Sequence, residues 1–418
     1  MSCNGGSRMS NDRFSFISKA DTFLLASQAF GIGTILGAGI YVLIGEVAAV
    51  AGSWTPTSFI IAAVLAALTG LSFAELSSRF PVSAGEAVYV EQAFNIKGLS
   101  IAIALAVVLT GIVSSATLVN GFAGYFREFV SAPDVVVITL VCITLGIVAI
   151  WGIAESVNVA VAITLAELLG LIAVVIVALP TATNNEIVTA APQALQHPAF
   201  YFGVLSGAGI AFYAFIGFED MVNVAEEVKN VRHVMPKAII LTLVVTTILY
   251  FIVATVVVRS MPLTELINTE APLAKVFSNA TGSSTGISII ALFAVINGAL
   301  IQVLMAARVL YGAGKKGWLP NNLAKVNHTT QTPIMATVLV TVLVLVFALW
   351  LPLGTLARLT SLIILVIFTI VNIALLRIKM RSEKTQQDLN IYRVPLWVPI
   401  AGATSSGIFA MINGLALM

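Results

Sequence analysis

The sequence predicts an all-α membrane protein, and three observations lead there. Of 418 residues, 59% are hydrophobic and only 10% charged, where a soluble domain carries about a quarter charged residues. Mean hydropathy is +1.03. The apolar residues gather in runs of about 20, the length a helix needs to cross the hydrocarbon core, without the alternation over about 10 positions that a membrane β-strand would show. A soluble enzyme is excluded. With 21 basic against 19 acidic side chains, no global field exists for nucleic acid or another polyanion.

Eleven spans are read in order: 22–50, 56–76, 98–126, 134–152, 156–180, 201–223, 236–258, 286–312, 333–351, 356–378 and 395–417. Before the first lies a polar tail, residues 1–21, with Arg8, Arg13 and Lys19 and no secretory signal pattern. Charges mark the interruptions between spans. Arg79 and Lys97 separate the second and third, Arg127 the third and fourth, and Lys229 and Arg232 the sixth and seventh. Arg259 and Lys275 precede the eighth, Lys315 and Lys316 close it, and Arg377, Lys379 and Arg381 close the tenth. With the N-terminus in the cytoplasm, only Arg127, Arg259, Lys275 and Arg358 of the 21 basic residues lie outside, as the positive-inside rule requires. An odd count puts the C-terminus outside, so either the chain is naturally short or a twelfth span is missing.

Catalytic and metal chemistry find little support. Cys3 and Cys142 form no framework, and His197, His233 and His328 sit in connecting segments with no metal-ligand spacing. No phosphate-binding GxxxxGK[ST] loop occurs, so the sequence implies no cofactor, no metal and no enzyme.

The first span reads Phe30-Gly-Ile-Gly-Thr-Ile-Leu-Gly-Ala-Gly-Ile-Tyr41, and the sixth, five spans later, is again glycine-rich from Gly203 to Gly217. Glycine-interrupted spans at matching positions of two halves point to a transporter site, because unwound backbone at mid-membrane is tolerated only where it lines a cavity. A half-helix N-terminus then suits an anion and free carbonyls a cation, the two charges of an α-amino acid. The competing reading is packing: Gly33 with Gly37, and Gly203 with Gly207, have the GxxxG spacing of close helix approach.

Four stretches carry a family resemblance: Gly33-Thr-Ile-Leu-Gly-Ala-Gly-Ile-Tyr41; Phe73-Ala-Glu-Leu-Ser-Ser-Arg-Phe-Pro81 leading to Val88-Tyr89-Val90; Phe212-Tyr-Ala-Phe-Ile-Gly-Phe-Glu-Asp220; and Ala307-Arg-Val-Leu-Tyr311 with Gly317-Trp-Leu-Pro320. Together they resemble the amino acid, polyamine and organocation (APC) superfamily of permeases, in its bacterial and cationic-amino-acid-transporter-like branch. The resemblance implies a leucine-transporter-like fold with two inverted five-helix repeats, about 22–180 and 201–378, and an extra helix at about 395–417. Helices 1 and 6 would be discontinuous. It also implies substrate recognition by backbone: amides near Ala38, Gly39 and Ile40 would hold the carboxylate. Carbonyls of Ile35, Tyr213, Ala214 and Ile216 would receive the ammonium, with Tyr213 as an aromatic gate. The side-chain pocket would be built from spans 3, 6, 8 and 10.

Acids inside spans cost at least ~2.5 kcal/mol on insertion scales and are functional hypotheses by default. Glu167 is the deepest. Desolvation suits a buried carboxyl to carry a proton near neutral pH; an ionised Glu167 could instead ligate sodium, or a protonated one could be structural. Glu219 and Asp220 follow the sixth-span break as capping acids or as gating groups, and Glu46 lies toward the outer end of the first span. Glu75 with Arg79, Glu86 and Glu91 read as solvated or loop-fixing charges.

The sequence therefore predicts a plasma-membrane secondary transporter that imports an amino acid by alternating access, with proton coupling as the leading mode. Sodium-coupled uptake and amino acid exchange are rivals within that class, and a non-transporting amino acid sensor is the rival outside it. The bilayer and a small-molecule amino acid are the implied partners.

Overall fold

The computed structural model describes residues 33, 35–36, 39–81, 85–152, 157–182, 198–222, 230–382 and 391–417, and among them helix is the only regular secondary structure. The tail 1–21 and Ala38 lie outside the described residues. The spans are α1 (Gly39–Ala51), α2 (Thr55–Arg79), α3 (Lys97–Phe126), α4 (Asp134–Trp151), α5 (Val157–Ala178), α6 (Pro198–Ala211), α7 (Val231–Ser260), α8 (Thr285–Lys315), α9 (Ile334–Trp350), α10 (Leu353–Ser382) and α11 (Trp397–Leu417). Nine described stretches are long and apolar enough to cross a membrane, one of them holding both α1 and α2, while α9 is apolar but shorter. Pro56 opens α2, where its missing N–H costs nothing, and Gly152 at φ 70° closes α4 in the left-handed region.

Side chains sort as a bilayer solvent demands. Val64, Leu140, Ile176, Phe293 and Trp350 face outward, while Thr69, Ser72, Ser114, Asn372 and Asn413 are buried in the bundle. Polar contacts then join spans: the Ser72 hydroxyl donates to Asn372 Oδ1 at 2.6 Å and Asn372 Nδ2 to Thr69 Oγ1 at 3.0 Å, linking α2 to α10.

The packing pattern displays the repeat. α1, α2, α3 and α4 pack against α6, α7, α8 and α9 respectively. α5 packs on α7 and α8, as α10 packs on α2 and α3. A loop helix Gly85–Phe94, between α2 and α3, lies against α10; its counterpart Pro272–Thr281, between α7 and α8, lies against α5. These contacts of one half thus recur with the halves exchanged, the arrangement of two five-helix repeats related by a two-fold axis. α11 stands outside the repeats and packs on α10 and α2.

One end of the bundle, called here the basic end, carries Arg79, Lys97, Lys315, Lys316, Arg377 and Arg381. There Glu75 is fully buried and compensated: it accepts from Arg79 Nη2 at 2.6 Å, Lys379 Nζ at 2.7 Å and the Val394 N–H at 2.8 Å. The i,i+4 pair with Arg79 is therefore a buried tie between α2, α10 and the approach to α11, and Glu75 is not a solvated charge. Glu75→Gln strands two cations in a dry site and is expected to cost about 3 kcal/mol. It would appear as a lowered melting temperature of the purified protein; an unchanged melt would show that the pairs are not stabilising.

Candidate functional site

α6 ends at Ala211 and tightens into a 3₁₀ turn, Phe212–Phe215. Ile216 is then extended (φ −65°, ψ 137°) and Gly217 sits at φ 126°, where a side chain would be strained. The sixth span is broken as the sequence predicts. The Glu219 carboxylate accepts the Gly217 N–H at 2.9 Å, holding the broken backbone. The matching break in the first span falls on residues only partly described; α1 starts at Gly39.

Gly39 lies directly on Ala214, and a Cβ added there would come within 2.7 Å of the Ala214 Cβ. Only glycine lets α1 approach the α6 break so closely. Where they meet, a cavity of about 20 Å³ is lined by Ile35, Gly39, Tyr213 and Ile216, with Ser114 and Leu118 from α3 and Gly298, Ile301 and Gln302 from α8. Of the residues that the sequence nominates, four line this one space. Ala214 packs under Gly39, Ile40 is fully buried in α1 beside it, and Ala38 is not described.

Tyr213 is tethered to α3: its hydroxyl donates to the Ser114 carbonyl at 3.0 Å and pairs with the Ser114 hydroxyl at 2.9 Å. The Tyr213 carbonyl accepts the Ile216 N–H at 3.1 Å, and the Ile35 carbonyl accepts the Tyr250 hydroxyl at 2.7 Å. Two of the four carbonyls nominated for an ammonium thus already hold one partner, each keeping a second lone pair.

Glu167 does not line the cavity. It is fully buried on α5, where its backbone carbonyl accepts the Tyr41 hydroxyl at 2.8 Å. Its carboxylate lies within electrostatic reach of the Tyr41 and Tyr250 hydroxyls, and Tyr250 connects it to Ile35 at the cavity wall.

Toward the basic end, Gln302 forms the floor of this cavity and the roof of a second one of about 20 Å³, bordered by Glu86, Thr110, Glu219, Asp220 and Ile364. Gln302 Nε2 donates to Asp220 Oδ2 at 2.9 Å. An aromatic cluster of Phe73, Tyr89, Phe212, Phe218 and Phe368 packs α2, the loop helix, α6 and α10 together at this level. On the other side of Glu86, between α3, α4, α8 and the start of α9, opens a vestibule of about 690 Å³ that includes Arg308, Lys316 and Trp318. At the other end, Arg358 Nη1 donates to Ser206 Oγ at 2.9 Å, tying α10 to α6, and Glu46 stands against Gly354.

Two sequence readings are corrected. The tenth span contributes no lining residue to the first cavity; Ile364 borders the second. Glu86 is not solvated but 3% exposed, because the loop helix folds back against α3 and α10. Glu91 is exposed and pairs with Lys316 at 3.5 Å.

Residues 23–416 match the family described as amino acid permease. The chain is 30% identical over 378 residues to "Cationic amino acid transporter 3, mitochondrial" of Arabidopsis thaliana, covering 84% of this chain and 61% of that protein. It is 29% identical over 384 residues to the branched-chain amino acid permease BcaP of Bacillus subtilis, 86% of this chain and 80% of the relative. A methylthioribose transporter of the same bacterium is 28% identical over 403 residues, 90% and 84%. These are the names of permeases and transporters, not of enzymes. With the repeat, the broken sixth span and a match across nearly the whole chain, the protein belongs to the amino acid permease family.

Proposed function

We propose that this chain imports a neutral amino acid with an aliphatic side chain by alternating access, driven by proton entry, with the basic end in the cytoplasm of a cell bounded by its plasma membrane. The observation that carries the reading is the small cavity where the start of α1 and the break of α6 meet α3 and α8. Backbone polar groups at that junction suit the carboxylate and ammonium of an α-amino acid, and lipid never reaches them. At about 20 Å³ the cavity has room for no more than about one water molecule. A substrate must therefore part the helices to enter, which is the alternating-access requirement.

The side-chain class follows from the lining. Ile35, Leu118, Ile216 and Ile301 are apolar, Ser114, Tyr213 and Gln302 are neutral, and among the described residues no charged side chain borders the cavity. A lysine or arginine side chain would lose its hydration there with no carboxylate to replace it. The name of the bacterial branched-chain relative accords with this; that of the plant cationic relative does not.

Uptake of a labelled amino acid panel into proteoliposomes, under a pH or a sodium gradient, tests the reading. Leucine, isoleucine, valine or alanine should accumulate with the pH gradient and exceed arginine and lysine by at least tenfold, a discrimination of about 1.4 kcal/mol. Preference for arginine would overturn the side-chain assignment. Dependence on sodium, or on internal substrate alone, would replace proton coupling by sodium symport or exchange. Binding without flux of any amino acid would make the chain a sensor.

A further inference from the structure

The transport reading leaves Glu86 unused. This residue opens the loop helix Gly85–Phe94, is 3% exposed, and borders both the second cavity and the vestibule. Its carboxylate meets its own backbone N–H and, among the described residues, makes no hydrogen bond or ion pair with another side chain. One turn further on, the fully buried Tyr89 hydroxyl has no partner either and lies within reach of the Glu86 charge. A carboxyl whose one recorded hydrogen bond is to its own backbone and a hydroxyl with none are thus sequestered together, in the wall that the second cavity and the vestibule share.

We propose that the loop helix and the aromatic cluster to which its Tyr89 belongs act as a gate at the basic end, and that Glu86 binds a proton while this gate is closed and yields it to vestibule water when it opens. The pH on that side then sets how readily substrate leaves. The inference rests on the transport reading for its consequence, but not for the proton site itself. On opening, the O–H bond breaks, the proton passes to water and the carboxylate remains hydrated in the vestibule. Re-closing requires a proton to be taken up again, because an ionised carboxylate would return to a dry site.

The surrounding charges favour the neutral form. Glu219 and Asp220 of the α6 exit share the cavity with Glu86. On its own helix, Glu91 is occupied by Lys316. On α10, Lys379 is held by Glu75, while Arg381 reaches the Ala93 carbonyl and Arg377 lies over Phe94. Those last two, and Lys97 at the start of α3, thus gather at the far end of the loop helix, about 10 Å from Glu86 at 1.5 Å per residue. Arg308 of α8 and Lys316 just past its end line the vestibule and form no ion pair with Glu86. Burial pushes the Glu86 carboxyl up to about 8, and the Asp220 charge adds to the rise. A hydrated carboxyl titrates near 4.3. The sign follows: the closed gate is fully stabilised below that value and loses its advantage as pH climbs to about 8.

Two measurements on the full chain test this. The protonated-carboxyl infrared absorption of purified native protein should contain a component lost near pH 8, absent from Glu86→Gln and restored in Glu86→Asp. A component that persists in Glu86→Gln overturns the proton site. In proteoliposomes with leucine on both sides, exchange by the native protein should rise at least about tenfold as the buffer at the basic end goes from acid to alkaline, and by less than about twofold in Glu86→Gln. Equal pH dependence in the two overturns the gating role. Absence of flux in both proteins, with the infrared component still lost in Glu86→Gln, refutes the transport reading and leaves the proton site standing.

Discussion

Glu167→Gln is expected to abolish accumulation driven by a pH gradient while leaving exchange of internal for external substrate intact. The acid is fully buried in α5, and Tyr250 joins its neighbourhood to the Ile35 carbonyl at the cavity wall. Gly33, at the start of the described first span, abuts Thr164 one turn before it. Movement of the first span during opening must therefore change what surrounds the carboxyl, which is how a proton would be loaded in one state and released in the other. For one proton per substrate, each pH unit supports about tenfold accumulation, since one unit is 1.36 kcal/mol. The glutamine variant keeps the size and polarity but carries no proton, so its accumulation ratio should fall to unity. Retained accumulation in Glu167→Gln would move the coupling site elsewhere.

Gly39→Ala is expected to reduce uptake by about 5- to 150-fold, the equivalent of the roughly 1–3 kcal/mol that overpacking typically costs. The added methyl would sit 2.7 Å from the Ala214 Cβ and closer still to its Cα, so the helices, not a flexible side chain, must give way. Gly98→Ala is the matched control: its Cβ meets nothing within 4 Å, and uptake should be unchanged. Initial rates normalised to the amount of protein in the membrane compare them. Equal rates for Gly39→Ala and native protein would show that α1 and α6 do not need this approach.

The glycines show what sequence can and cannot resolve. Both readings of the sixth span hold, each for different residues. Gly203 and Gly207 are packing glycines, lying against the Val50 carbonyl, Ala51 and Ser58, whereas Gly217, with φ 126°, serves the break. Glycine content signals a weak helix, but only the neighbouring chain decides whether weakness becomes a break or a contact. The backbone half of the cavity was legible for that reason: Ile35 and Gly39 lie in the glycine-rich start of the first span, and Tyr213 and Ile216 at the break of the sixth, stretches that leave a mark in sequence.

The other half was not. Ser114, Leu118, Gly298, Ile301 and Gln302 sit on α3 and α8, which run through without interruption. Their hydropathy is that of any span, and only the amide of Gln302, placed deep in an apolar run, offered a hint. Glu75 and Glu86 were misjudged for a related reason. A charged loop next to a span looks solvated in sequence, and burial arises only when α10 folds over it, Lys379 reaching Glu75 from 304 residues away.

The claim on which the rest depends is that an amino acid binds in the cavity between α1, α3, α6 and α8. Cysteine protection tests it most directly. In a protein whose Cys3 and Cys142 have been replaced, Ser114→Cys should react slowly with a thiol reagent and become at least tenfold slower when the amino acid selected by the uptake panel is saturating, since the ligand takes the reagent's place. A cysteine in place of Ala149, in the vestibule, should react at the same rate with and without that amino acid. Unprotected labelling of Ser114→Cys in a protein that demonstrably binds its substrate would place the binding site elsewhere.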